Sequence, residues 1–284
     1  MIYFNADDYG VTDLQSKHIR ETRTNGRLTG VSAMPNAPYL EKAMSFLDDD
    51  PDLRVAVHIN LTEGIALSDP KDIPLLVNEQ GRFSRSFFSI FAASLGSKKK
   101  QLLVQIKKEI RLQIARVKPL IKDRPLRLDG HQHIQMIPIV MKAIVEVVEE
   151  DGLKVDYMRY SAEPITPYLK HLEFIKDYSL INLIKNIVLN VFGWYDKKYM
   201  DRLGLSRSLV IGLVISGNLE YRLISVLLPD FEKIANKKHR DLELVMHPGY
   251  GIERGESLDV VDGPFEQFYL SKGRKREYDC LLKI

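Results

Sequence analysis

Cysteine is almost missing: Cys280 is the one thiol in 284 residues. That excludes an intramolecular disulfide and a thiolate-bound metal cluster, and it points to a reducing compartment, with the cytoplasm as the expected location. No glycine-rich phosphate loop follows the first apolar run, which counts against a nucleotide-binding sheet. No repeat and no low-complexity segment interrupts the chain. No charge of one sign dominates either. The formal net charge is +3, and the basic runs Lys98-Lys99-Lys100, Lys237-Lys238 and Arg274-Lys275-Arg276 are short and lack interleaved aromatics. They read as solvated faces, and a dedicated nucleic-acid partner is not expected. The first residues lack a basic segment followed by an apolar run and a cleavage site, so no secretory signal is expected.

What is present is an ordinary globular composition, 45% hydrophobic and 28% charged, enough for one sizeable core. Short apolar runs alternate with longer amphipathic stretches along residues 1–284, which are read as a single domain. Residues 2–5, 30–34, 54–59, 125–129, 156–160, 209–215 and 242–247 read as strands. Residues 13–25 read as a helix with Asp13 as N-cap and Gly26 as its stop. Residues 101–122 place Leu102, Leu103, Ile106, Ile110, Ile114, Val117 and Ile121 on one helical face. Residues 138–150 begin with Pro138 at a first turn, and 219–236 and 265–270 are further helical candidates. Alternation of this kind implies parallel pairing and an α/β fold, as an open doubly wound sheet or an irregular closed barrel.

Polar clusters sit at the ends of these strands: Asn5-Ala6-Asp7-Asp8-Tyr9-Gly10, His58-Ile59-Asn60-Leu61-Thr62-Glu63-Gly64, Asp129-Gly130-His131-Gln132-His133 and His247-Pro248-Gly249. In parallel barrels such ends converge on one mouth. Asp7 and Asp8 are neighbours that a strand would point to opposite faces, but a turn there brings both to the mouth, one to hold a metal and one to act as a base. Capping of the next helix is the plainer role for either. His58, His131, His133 and His247 are four of seven histidines, and they all lie in these clusters; His18, His171 and His239 read as surface residues. Two imidazoles and a carboxylate accept a divalent ion and leave positions open for water and substrate. Asp129 is placed to orient a ligand imidazole. His247, before Pro248-Gly249, is placed to give a proton to a leaving amine. Glu63 and Arg159 are candidates for substrate contact or for a structural ion pair.

These four motifs, in this order, resemble those of the YdjC-like carbohydrate deacetylases, the family that includes chitooligosaccharide deacetylase. The resemblance covers most of the chain. It implies an irregular, TIM-barrel-like (β/α) barrel that hydrolyses the N-acetyl amide of a sugar with one divalent ion, magnesium or zinc. By position it implies Asp8, His58 and His131 as metal ligands, Asp7 as general base and His247 as general acid. The order of Asp7 and Asp8 rests partly on similarity to the related polysaccharide deacetylases and is open to reversal. Two positions depart from the pattern: Gly130 stands where the family often has Ser, and Gln135 where it often has His. Both departures bear on substrate contacts around the mouth.

Residues 161–207 read as a variable helical insertion, a lid over the barrel. Within it, residues 178–195 are apolar with one lysine, interrupted by Asn182, Asn186 and Asn190, and flanked by Lys176, Lys197, Lys198 and Arg202. The asparagines argue against a membrane-spanning helix. An interfacial segment that meets a lipid-linked sugar at the membrane surface is the sharper alternative to a plain lid. The competing functions are another metal-dependent amidohydrolase or phosphodiesterase on this scaffold, and a sugar-binding protein without catalysis. A homodimer is compatible with the sequence.

Overall fold

The computed structural model describes residues 1–252 and 264–284. Seven strands form one parallel sheet: β1 (Ile2–Tyr9), β2 (Gly30–Ala33), β3 (Arg54–Ile59), β4 (Leu126–Gly130), β5 (Val155–Met158), β6 (Leu209–Ile211) and β7 (Leu242–Met246). Their order is β5-β4-β3-β2-β1-β7-β6. The sheet curls into an irregular (β/α) barrel, which the family resemblance implied and which the alternating pattern left open beside a doubly wound sheet. β5 and β6 share no ladder. The seam between them is bridged by Val210 N–H to the Ala162 carbonyl at 3.2 Å and by contact of the Tyr157 hydroxyl with Ser208 Oγ at 2.9 Å.

Strands covered on both faces are mostly apolar, and β2, β6 and β7 are buried at every position, with Ser32 and Glu243 as the polar side chains that face the barrel's interior network. Helix Lys99–Val117 buries Leu102, Ile106, Ile110, Ile114 and Val117 as its spacing predicted. A second row on that helix, Gln105, Glu109 and Gln113, is polar and also buried. Glu109 accepts the N–H groups of Leu67 and Ser68, Gln113 that of Asn60, and Gln105 that of Leu75. The helix therefore supplies hydrogen-bond partners that the loop after β3 cannot find within itself.

Several local expectations are corrected. β1 does not end at Asn5 but runs through the acidic pair to Tyr9. β6 stops at Ile211 instead of reaching 215, because the Glu163 carboxylate takes the N–H groups of Gly212, Leu213 and Val214. Thr12, not Asp13, caps the first helix, accepting from the Gln15 N–H at 3.0 Å. His18 is buried, not at the surface: its ring stacks on Tyr250 at 3.8 Å. His171 is half-buried between Glu173 and Asp230 and His239 is exposed, so of these three only His239 fits the surface reading fully. Helices Phe87–Ala93 and Lys272–Leu281 lacked a clear apolar period, and the second contains Arg274. Of the run read as solvated, Lys275 and Arg276 are exposed, but Arg274 is completely buried.

Candidate functional site

The acidic pair is shaped by a bulge. Ala6 pairs with Val31 and Tyr9 with Ala33, so Asp7 and Asp8 together stand opposite Ser32. Asp8 adopts φ 64°, a left-handed conformation that costs a non-glycine residue energy. The bulge overcomes strand alternation and brings both carboxylates into the barrel mouth.

Their surroundings differ. Asp7 is gripped by the Arg159 guanidinium through two bonds of 2.7 and 2.8 Å, and Oδ1 also accepts from Asn5 Nδ2 and lies 3.1 Å from Ser32 Oγ. Burial alone would raise its pKa, but Arg159 and then His58 hold the carboxyl well below the usual range. Asp8 Oδ1 lies 3.0 Å from His131 Nδ1 and 3.5 Å from His58 Nε2. Asp8 Oδ2 is buried, accepts no hydrogen bond and lies 3.8 Å from Arg274 Nη1.

Each imidazole is backed by a carboxylate on its far side. His58 Nδ1 contacts Asp129 Oδ1 at 2.7 Å, leaving Nε2 toward Asp8. His131 Nε2 lies 3.1 Å from Glu63 Oε2, and Gln132 Nε2 donates to Glu63 Oε1 at 2.9 Å. A backing carboxylate fixes the ring's orientation and raises its basicity toward a cation on the other nitrogen. Burial disfavours the charged rings, but Asp129 and Asp7 raise His58 to about 10, and Glu63 and Asp8 raise His131 to about 9. The cause is an excess of negative charge: Asp7, Asp8, Glu63, Asp129 and Glu243 are all buried here, against the guanidiniums of Arg159 and Arg274.

Donor atoms of Asp8, His58 and His131 lie within 4.8 Å of one another, as do those of Asp7, His58 and Asp129. The first set is the better fit for a divalent cation. In the second, Asp129 spends its oxygens on His58, Ser32 and Arg159, and Asp7 is held by Arg159. Asp8 Oδ2, by contrast, is a buried acceptor with no hydrogen-bond donor in bonding geometry among the described residues. Hard oxygen and imidazole nitrogen suit magnesium, zinc or a similar divalent ion.

The remaining residues read from the sequence fall into place around this set. The backbone is left-handed at Gln132 and His133, with φ 54° and 62°, and this splits the histidine pair. His131 turns to Asp8, while His133 Nδ1 meets Ser161 Oγ at 3.0 Å and its other side faces the cavity. Burial first, then the charges of Lys185 and Arg159, hold the His133 pKa well below normal. Arg159 is wholly buried among Asp7, Asp129 and Glu243 and does not line the cavity; in this structure it forms the ion pair that holds Asp7 in place. Glu63 likewise faces His131 and not the cavity. His247 follows β7; its Nδ1 lies 3.5 Å from Glu277 Oε2, its backbone N–H donates to the same oxygen, and its ring edge meets Phe268 at 5.2 Å.

Asp7, Asp8, His131, His133 and His247 share a cavity of about 220 Å³ with Asn182, Lys185 and Tyr269. Drug-sized clefts occupy roughly 300–1,000 Å³, so this one suits a small group such as a single sugar ring. Arg274, Tyr269, Glu277 and Lys185 were not foreseen. Arg274 was hidden in a basic run, and Lys185 in an apolar helix. Burial brings Lys185 down to about 8.

The two departures from the motif pattern prove to be one. A Cβ on residue 130 would stand 2.5 Å from Gln135 Oε1 and 3.0 Å from its backbone nitrogen. Gly130 thus makes room for Gln135, whose Nε2 donates to Ser161 Oγ at 3.0 Å. Gln135 is buried and does not line the cavity.

Comparison with known proteins gives the chain's family and fold. The profile of the YdjC-like protein family matches residues 1–283. A carbohydrate deacetylase of Thermoanaerobacter pseudethanolicus (strain ATCC 33223 / 39E) is 33% identical over 152 residues, 53% of this chain and 57% of that protein. The chain therefore aligns with little more than half the length of that relative. A carbohydrate deacetylase of Danio rerio is 23% identical over 97% of this chain and 90% of its own length. A crystal structure of an Enterococcus faecalis V583 protein, provisionally described as a cellobiose-phosphate cleavage protein, superposes with a TM-score of 0.66 at 19% identity. The superposition covers 99% of this chain and 90% of that one, and at this identity it supports the fold.

Proposed function

This chain belongs to the YdjC-like protein family, and we propose that it is a metal-dependent hydrolase that removes the acetyl group from an N-acetylated sugar. The observation that carries the reading is the convergence of Asp7, Asp8, His131 and His247 on one cavity, with His58 beside Asp8 behind it. Asp8, His58 and His131 would hold one divalent ion, magnesium or zinc. Such an ion, when bound, polarises an amide carbonyl and lowers the pKa of a water.

The protein's own groups account for the proton traffic. Asp7 is kept ionised by Arg159 and therefore has acceptor capacity at every working pH. It takes a proton from the attacking water. Strong pairing lowers its basicity, so the water must itself be acidified for the transfer to proceed. His247 donates a proton to the amine nitrogen as the C–N bond breaks, and Glu277 anchors its backbone N–H and lies 3.5 Å from its ring Nδ1. Acetate and a free amino sugar are the products. Asn182, Lys185 and Tyr269 also line the cavity, and Asn182 and Lys185 would offer polar contacts to the sugar.

Product analysis over a panel of N-acetylglucosamine-containing compounds tests the reading. Acetate release that stops on chelation and returns with magnesium, zinc, cobalt or manganese supports it. Phosphate release from phosphorylated sugars with no acetate, or sugar binding with neither product, overturns it.

A further inference from the structure

Helix Leu180–Arg202 has two unlike faces. One packs inward through Asn186, Leu189, Phe192, Gly193, Asp196 and Met200, and from that side Asn182 and Lys185 reach the catalytic cavity. On the other, Leu180, Ile184, Ile187, Val191 and Trp194 follow at steps of three and four residues, which is a single stripe along the helix axis. All five are exposed, between 49% for Ile187 and 80% for Trp194, and neighbouring Ile181 is 78% exposed. The stripe runs about 21 Å at 1.5 Å per residue. A groove of about 470 Å³ indents it, lined by Pro164, Ile165, Ile187, Val191 and Trp194. Exposed apolar area this contiguous is unusual for a surface that meets only water.

The charge at its ends identifies the occupant. Lys176 stands before the stripe, and Lys197, Lys198 and Arg202 follow Trp194 and Tyr195. Lys176, Lys197 and Lys198 are exposed and make no ion pair among the described residues, whereas Glu173, Asp177 and Asp201 nearby are engaged by His171, Arg222 and Arg207. A second copy laid on the stripe, parallel or antiparallel, would bring lysine against lysine at both ends. Anionic lipid headgroups would meet opposite charge at both ends, with the aromatic pair at interface depth. No helix among the described residues is long and apolar enough to cross a membrane, so the stripe suits a helix lying on a bilayer.

We propose that the outer face of helix Leu180–Arg202 docks this protein on an anionic bilayer surface. The proposal does not depend on the acetyl-hydrolysis reading. Where that reading also holds, docking makes sugars anchored to lipid the favoured substrate class, because the docked helix is itself a wall of the cavity.

Sedimentation of the full chain with phosphatidylcholine vesicles, with and without phosphatidylglycerol, tests the docking. The double variant Ile181→Glu, Trp194→Glu changes only exposed side chains, and its fold is checked by circular dichroism. Binding to anionic vesicles is expected to fall at least tenfold in the variant and to weaken with salt in the parent. No vesicle binding by the parent overturns the proposal, as does binding that the variant retains in full. A parent dimer in solution that the variant abolishes, without vesicle binding, assigns the stripe to a second copy and also overturns it. In the same vesicles, N-acetylglucosaminyl lipid is expected to be hydrolysed at least tenfold more slowly by the variant, with free N-acetylglucosamine oligosaccharide unaffected. If neither sugar is hydrolysed, the catalytic reading fails while the sedimentation still decides the docking.

Discussion

At the residue scale, Asp7 and Asp8 are chemically identical, and their neighbours make them different. Asp7 accepts from Arg159 and Asn5, while Asp8 keeps one buried oxygen without a hydrogen bond among the described residues and faces two imidazoles. Asp8→Ala, His58→Ala and His131→Ala are each expected to lose tight metal binding together with turnover. Asp7→Asn is expected to keep the metal and lose about 10²–10⁴-fold in kcat. Metal analysis of each purified variant beside its kcat checks this; a metal-free Asp7→Asn protein would reverse the two roles. The imidazoles make a second prediction. Without a cation, His58 near 10 and His131 near 9 both carry protons at neutral pH. A cation must displace them, so its affinity rises with pH, by up to about 100-fold per unit while both protons are released, and levels off above these values. Calorimetry of zinc or magnesium binding in buffers of different ionisation heats reads the released protons; uptake or no exchange would contradict the site.

At the element scale, short side chains and one carboxylate decide where strands stop. Glu163 takes three N–H groups after β6 and also accepts from the Tyr168 hydroxyl at 2.6 Å. Glu163→Ala leaves those buried groups unpaired and is expected to cost about 3 kcal/mol or more; urea unfolding measures it, and a loss within error would remove Glu163 from this role. Gly130 and Gln135 form a packing pair, so Gly130→Ala is expected to cost about 1–3 kcal/mol through overpacking. The part of that loss that comes from Gln135 Oε1 should disappear when Gln135 is already alanine, while the contacts with the residue 135 backbone nitrogen and Ile134 remain, a coupling that a double-mutant cycle detects. These details mark where the sequence stopped being readable. The strands, the helix over 138–150 and the apolar face of Lys99–Val117 follow from periodicity and are found. The bulge at Asp8, the left-handed turn at Gln132-His133 and the end of β6 depend on contacts from distant segments, and no local period carries them. Helix Lys272–Leu281 was illegible for the same reason: its buried residues include Arg274 and Glu277, polar groups that face the site.

At the scale of the whole molecule, four motifs spread from Asn5 to Gly249 meet because parallel strands carry their C-terminal ends to one mouth. The members of the site that were legible, Asp7, Asp8, His58, His131 and His247, sit on those ends. The members that were not, Lys185, Tyr269, Arg274 and Glu277, come from helices that fold back over the mouth. The barrel interior gathers five buried carboxylates against two guanidiniums, a charge balance that a divalent cation would relieve. The most direct test of the account is a titration of metal-stripped protein with zinc or magnesium while acetate release from an N-acetylglucosamine oligosaccharide is followed. The account predicts no release without metal and a rise to a plateau at one equivalent bound. Release that is indifferent to metal, or a plateau that needs two equivalents, would contradict it.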